Sequence, residues 1–340
     1  MRLKYVYVLI SCEKDFYAEQ AALSMHSLRL HHPDSCIVLV TDDSTLASLS
    51  GGRSLIKNYV SEYVVINPPA DFSLKQKSRF LKTTLRQNLQ GDFLFLDCDT
   101  IVMGSLDALD DITCDVAAVY AEHSNSPDEY YHHRNHWDSN GQHWHMTKYY
   151  HQRVVPPAER DDIRFHCNSG VMLCRDTERA HRLFETWHQF WLESSTRYGY
   201  HSDQCDLWRA DASLGGILTE LDGIYNCQII YTKIALRYLF ECKILHYFST
   251  SKQYGYIPFK QPEVLIKIRE NGITSDIETA MLHLKKDYLE HFVILKDEEL
   301  KIYETPIVEV AKKISSRYPF VNRWIMPIVK LRRKIVQHVF

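Results

Sequence analysis

Two aspartates, Asp97 and Asp99, stand one residue apart at the end of the apolar run Phe93-Leu94-Phe95-Leu96. Apolar residues resume at once with Thr100-Ile101-Val102. Side chains alternate along a strand, so the two carboxylates can face the same way where such a strand ends. Paired hard oxygens suit a divalent cation such as Mn²⁺ or Mg²⁺, and a cation held there could in turn hold a diphosphate. A solvated strand end that binds nothing is equally compatible with the pair alone.

The elements able to position such a pair recur along the chain. Short apolar, β-rich runs occupy residues 5–10, 36–40, 63–66, 92–96 and 116–119, with helical patterning at 17–30 and 75–89 between them. Strand and helix alternating at this pace predict an α/β fold with a mostly parallel sheet flanked by helices, which binds ligands at the carboxyl ends of its strands. Farther on, strand patterning returns at 164–173, 227–230 and 243–248, and a helix is expected over 177–198. After Pro258 the pattern turns helical, at 263–270, 275–289 and 306–314. The polar, aromatic and His-rich stretch 122–162 reads as a long loop or lid.

At 340 residues the chain is long enough for a buried core, and its 45% hydrophobic and 24% charged residues argue against disorder. A formal charge of −3 exerts no global pull on nucleic acid, so none is expected as a partner. The nine cysteines are scattered, odd in number and without a C-x-x-C pair, a pattern that fits buried thiols in a reducing compartment. The first ten residues lack a signal-like cleavage site, and no stretch reaches the ~20 apolar residues of a membrane span. A cytoplasmic protein is expected.

Phe-Leu-Asp-x-Asp-Thr followed by an apolar residue and Val resembles the D-x-D signature of GT-A glycosyltransferases, in particular family 8, the relatives of glycogenin and of lipopolysaccharide galactosyltransferases. Further segments match in the same order. Tyr17-Ala18-x-x-Ala21 resembles the family's first helix, Lys77-Ser78-Arg79-Phe80-Leu81-Lys82 its basic helix, and Asn168-Ser169-Gly170 its N-S-G motif. Asp203-Gln204 resembles its D-Q pair. Leu221-Asp222-Gly223-Ile224-Tyr225-Asn226 resembles its L-P-x-x-Y-N segment, with Asp222 replacing the Pro. Ile244-Leu245-His246-Tyr247-Phe248, with Lys252 after it, resembles its H-F-x-G-x-x-K-P-W.

This resemblance spans roughly residues 3 to 255. It implies a GT-A, Rossmann-like nucleotide-diphospho-sugar transferase fold over residues 1–257, followed by a C-terminal helical region over 258–340. It implies a metal-dependent transferase that moves a sugar from a nucleotide-sugar donor, a UDP-sugar in this family, to a saccharide or lipid-linked acceptor with retained anomeric configuration. Asp97, Asp99 and His246 would hold Mn²⁺ or Mg²⁺. Ser11, Tyr17, Arg79, Asp97, Asn168, Ser169 and Lys252 would contact the donor, Tyr17 by stacking on the uracil and Lys252 on the diphosphate. Lys77 and Lys82 are alternatives to Arg79. Asp203 or Gln204 would lie beneath the anomeric carbon.

Two segments depart from the pattern. Gln253-Tyr254 replaces the Pro-Trp after Lys252, and the loop Ser11-Cys12-Glu13-Lys14-Asp15 lacks the usual Thr-x-Asn-like sequence. Other readings stay open: an inverting transferase with Asp203 or Asp222 as general base, a non-catalytic nucleotide- or sugar-binding module, or a nucleotidyltransferase, although the glycine expected of that last class is missing from the first loop. Asp203 could equally cap a helix.

The crowd of His123, His132, His133, His136, His143, His145 and His151, with Trp137 and Trp144, fits no structural zinc spacing. Beside a sugar site it would furnish an acceptor pocket; a plain exposed loop is the simpler alternative. Residues 317–340 mix apolar and basic side chains and could lie on an anionic membrane surface, or pack on the body.

Overall fold

The computed structural model describes residues 3–123, 167–229, 238–248 and 258–284. Most of the His-rich loop, Lys252, the expected helix at 306–314 and the basic tail lie outside the described residues. The chain divides into two compact units, Met1–Leu282 and His283–Phe340. The first carries all the described strands.

Its centre is a seven-stranded sheet in the order β3-β2-β1-β4-β7-β6-β8. The strands are β1 (Lys4–Leu9), β2 (Cys36–Thr41), β3 (Glu62–Val65), β4 (Phe93–Leu96), β6 (Val116–Tyr120), β7 (Cys167–Cys174) and β8 (Leu218–Glu220). All pairings are parallel except those of β7 with β4 and β6. A second, three-stranded sheet, β5-β10-β9, joins β5 (Thr100–Val102), β10 (Ile244–His246) and β9 (Cys227–Gln228). The expected mixed, mostly parallel α/β sheet is present.

The apolar runs are continuous because the sheet is covered on both faces. Alternate residues serve opposite layers. Tyr5, Tyr7, Leu9, Leu94 and Leu96 enter the core under α1 (Tyr17–His31). Val6, Val8, Phe93 and Phe95 enter the other core, with residues of α3 (Leu74–Thr83) and of α5 (Glu178–Tyr198). Between α1 and α3 lies the short α2 (Asp43–Ser48). The helix expected over 75–89 is two helices, α3 and α4 (Leu85–Asn88). The break falls at Thr83 and Thr84, whose hydroxyls bond back to the carbonyls of Arg79, Phe80 and Leu81. Such back-bonding by adjacent threonines competes with the regular helix ladder.

From β1 the chain crosses to β2 on one side, while β4 pairs on the other. The carboxyl ends of β1 and β4 therefore flank a topological switch point, the crevice where open α/β sheets bind ligands. The loop after β1 is braced from two sides. Arg53 donates to Ser11 Oγ at 2.7 Å and to the carbonyl of Cys12. From the far end of the unit, Arg269 on α7 (Pro262–Asn271) donates to Glu19 at 2.7 Å and to the carbonyls of Glu13 and Asp15. Its guanidinium lies 4.6 Å from the centre of the Phe16 ring. After α7 comes α8 (Ser275–Leu282), tied to α1 by a 2.7 Å contact between Glu278 and His26. Among the described residues no helix is long and apolar enough to cross a membrane.

Candidate active site

Asp97 and Asp99 sit in the turn between β4 and β5, as the sequence pattern predicts. The turn is fixed by the Asp97 amide donating to Gly170 O at 2.8 Å and by the Thr100 hydroxyl donating to Asp97 O at 2.8 Å. His246 ends β10, which pairs antiparallel with β5, so His246 stands opposite Thr100. That pairing carries an imidazole from 147 residues downstream to the acid pair. Its Nε2 lies 3.2 Å from Asp99 Oδ1 and 4.0 Å from Asp97 Oδ2.

One potential ligand atom from each of the three residues lies within 4.8 Å of the others. An octahedral ion with bonds of about 2.1 Å spans its ligands at about 3 to 4 Å, so the set closes on an ion with movement of less than about an ångström. Two carboxylates and an imidazole suit Mn²⁺ or Mg²⁺ chemically. Gly170 makes the arrangement possible: a Cβ there would meet His246 Cε1 at 2.1 Å. The residues fit a divalent cation.

Electrostatics set the two acids apart. Burial pushes the Asp97 carboxyl up; the Lys82 charge opposes this, Asp99 adds to it, and the net direction is upward. Burial also acts on Asp99, but the charge and hydrogen bond of His246, with a contribution from Lys260, hold its carboxyl below the usual range.

A second carboxylate centre adjoins the first. Asp203 precedes α6 (Gln204–Ser213), yet its side chain makes no capping bond. It pairs instead with Arg79 Nε at 2.9 Å and Lys82 Nζ at 3.4 Å, and it accepts from Ser169 Oγ at 3.0 Å. Trp187 Nε1 fixes its backbone carbonyl at 2.8 Å. Burial raises the Asp203 carboxyl, but Arg79 and Lys82 outweigh burial and leave it far below its ordinary value. The helix-capping alternative does not hold. Gln204 is half-buried, and among the described residues its amide makes no hydrogen bond, so it is the open polar group beside Asp203.

Lys82 links the two centres. It is 2% exposed, reaches Asp97 at 3.3 Å and Ser169 Oγ at 3.1 Å, and lies 4.8 Å from the centre of the Phe95 ring. In the sequence alone Lys82 is an alternative to Arg79, the preferred basic residue. Its position shares a helical stripe with Leu85, Arg86 and Leu89, all buried, and that spacing was the available signal. Lys77, the other alternative, pairs with Asp42 at 3.6 Å.

The remaining expected donor residues are placed differently from one another. Tyr17 opens α1 with 54% of its surface exposed beside the crevice. Ser11 is buried, and its hydroxyl donates to Asp15 within its own loop and accepts from Arg53 of a later segment. Asn168 lies behind His246, its Oδ1 accepting from Gly170 N and from Asn226 Nδ2. Asp222 accepts from the Ile224 amide and caps a short turn. His123, the one member of the histidine crowd among the described residues, accepts from the Gln228 amide through Nε2. Lys252 lies outside the described residues, but Lys260, not anticipated from sequence, donates to the carbonyl of Phe248, two residues after His246.

The family model for glycosyl transferase family 8 matches residues 8–256, a span that contains every one of these groups except Lys260. The chain belongs to glycosyl transferase family 8. It is a glycosyltransferase, and its mixed seven-stranded sheet is the expected GT-A fold. Solved structures similar to this family 8 chain include an active-site mutant of LgtC, at 13% identity and TM-score 0.49, covering 87% of this chain and 98% of that one. The galactosyltransferase LgtC with donor and acceptor sugar analogs is 14% identical, with TM-score 0.45 and the same coverage. Mouse xyloside xylosyltransferase 1 is 16% identical, with TM-score 0.44, covering 73% of this chain and 98% of that one. No curated protein matches the chain.

Proposed function

We propose that this family 8 chain transfers a glycosyl group from a nucleoside-diphosphate sugar, a UDP-sugar by family likeness, to a saccharide or lipid-linked acceptor with retention of configuration. One observation carries the reading: Asp97 and Asp99 converge with His246, which is far from them in sequence, within 4.8 Å at the switch point of the sheet. These three residues would hold Mn²⁺ or Mg²⁺, which when bound supplies Lewis-acid stabilisation to a departing diphosphate.

The chain's own residues do the rest. Arg79 and Lys82 bring fixed positive charge to the crevice, where negative charge develops on a leaving group; cations already in place there stabilise it without reorganisation. Tyr17 offers an open ring for a base to stack on. Gln204, with its amide uncommitted among the described residues, is the group assigned to the reacting sugar carbon. Asp203 has its oxygens engaged by Arg79, Lys82 and Ser169. A carboxylate so satisfied and so acidic is a poor proton acceptor, which weighs against the inverting alternative with Asp203 as base. We assign it the task of holding the two cations.

The reading also puts the protein in the cytoplasm, peripheral to an anionic membrane through residues 317–340. Vesicle binding no stronger for the full chain than for one ending at Tyr318 would remove that part.

The test of the central reading is a panel of nucleotide sugars, scored for Mn²⁺-dependent release of nucleoside diphosphate. At least one donor should be turned over, and Asp99→Asn and His246→Ala should abolish the release while circular dichroism stays unchanged. Near-normal turnover in either variant overturns the cation assignment.

A further inference from the structure

His246 is 2% exposed, and its two ring nitrogens face different partners. Nε2 looks toward the acid pair. Nδ1 lies 3.0 Å from Asn226 Oδ1. Which nitrogen carries the proton is decided by a chain of contacts that starts at a backbone amide.

The Gly170 N–H can only donate, and it meets the Asn168 side chain at 2.8 Å. That end of the Asn168 amide is therefore its oxygen. The same oxygen lies 3.0 Å from the Asn226 side chain, so the Asn226 atom facing it is the amide nitrogen. Asn226 is left with its oxygen toward His246, and an amide oxygen only accepts. The ring must then keep a proton on Nδ1, so Nε2, which lies 3.2 Å from Asp99 Oδ1, is the nitrogen that can exchange a proton shared with Asp99 for a cation. Asn226 is fully buried and Asn168 nearly so, which leaves little water to substitute for either contact. Turning either amide over would set like groups together and forfeit buried hydrogen bonds.

We infer that Asn226 is a positioning residue: backed by Asn168 and the Gly170 amide, it locks His246 in the Nδ1–H tautomer, whose Nε2 can donate to a divalent cation. This rests on reading Asp97, Asp99 and His246 as a cation site. Gly170 serves twice, since its amide begins the relay and its missing side chain admits the imidazole. Groups that hydrogen-bond the far nitrogen of a metal-binding histidine orient the ring and set its tautomer.

The test has two independent readouts. Long-range ¹H–¹⁵N spectra of the metal-free protein with ¹⁵N-labelled histidine should show His246 protonated on Nδ1. The resonance is assigned by its loss in His246→Gln. A wild-type ring with no proton on Nδ1 overturns the inference whatever the metal does. Mn²⁺ alone, titrated against the protein and followed by the electron paramagnetic resonance of the free ion, gives the second readout. Asn226→Leu should weaken Mn²⁺ binding by about 10- to 100-fold and move the ring toward Nε2–H. Asn168→Asp, which keeps the acceptor oxygen, should preserve the wild-type tautomer. Equal Mn²⁺ affinity in Asn226→Leu and wild type overturns the positioning role. Failure of the wild type to bind Mn²⁺ would instead count against the cation reading, with the tautomer still judged by the spectra.

Discussion

The Lys82 ammonium stands 3.4 Å from Asp203, and from the same position it reaches Asp97 at 3.3 Å. A single buried cation thus ties the carboxylate of the candidate metal set to the carboxylate that opens α6. Removing it leaves Asp97 without its lysine and Asp203 with Arg79 as its one remaining ion-pair partner among the described residues. Lys82→Met should destabilise the protein by about 3 to 5 kcal/mol, the range for breaking a buried ion pair. Urea unfolding measures it, and a loss near zero would mean that water already screens the crevice.

Gly170 admits His246 only because it has no side chain. Gly170→Ala should leave the sheet folded at a cost of about 1 to 3 kcal/mol, the usual penalty for overpacking. Mn²⁺ affinity should fall much further than stability does. A titration of Mn²⁺ against both proteins separates the two effects; unchanged affinity would show that the imidazole is not where the site needs it.

A cation that binds only the folded chain raises its stability by mass action, about 2.7 kcal/mol at a hundredfold excess over its dissociation constant. Melting in Mn²⁺ should therefore occur at a higher temperature than in EDTA. The increment should vanish in Asp99→Asn. An equal increment in that variant would place the ion elsewhere.

The depressed Asp203 carboxyl makes a prediction about acid. A group whose folded value lies below its unfolded value of 3.8 adds stability that is complete above the unfolded value and lost as pH falls beneath it. Asp203→Asn should therefore be less stable than wild type near neutral pH, and the gap should narrow below about pH 3. Denaturant unfolding at the two pH values tests this; a gap independent of pH would remove Arg79 and Lys82 as its cause.

Much of the site was legible in the residues. The switch from apolar run to Asp97-Cys98-Asp99 located a strand end, since period-two patterning needs no tertiary information. His246 could be singled out only by resemblance, because nothing local tells that β10 will pair antiparallel with β5 and face Thr100. Lys82 was harder: lysines on helices normally face water, and its burial depends on two acids that arrive from β4 and from the start of α6. Asn226 and Asn168 carry no chemical label of their own. Their importance lies in which atom of each amide faces which neighbour, a property of the folded arrangement alone. Asp203 looked like a helix cap from its position, and it is the nearby guanidinium and ammonium that draw its side chain away.

Arg269 has a practical corollary for anyone redrawing the gene. The family match stops at residue 256, yet this arginine grips two carbonyls of the loop after β1 and the buried Glu19. Trimming the coding sequence to the matched span would discard the clasp on the very loop that leads into Tyr17, so the smallest useful fragment extends past α7.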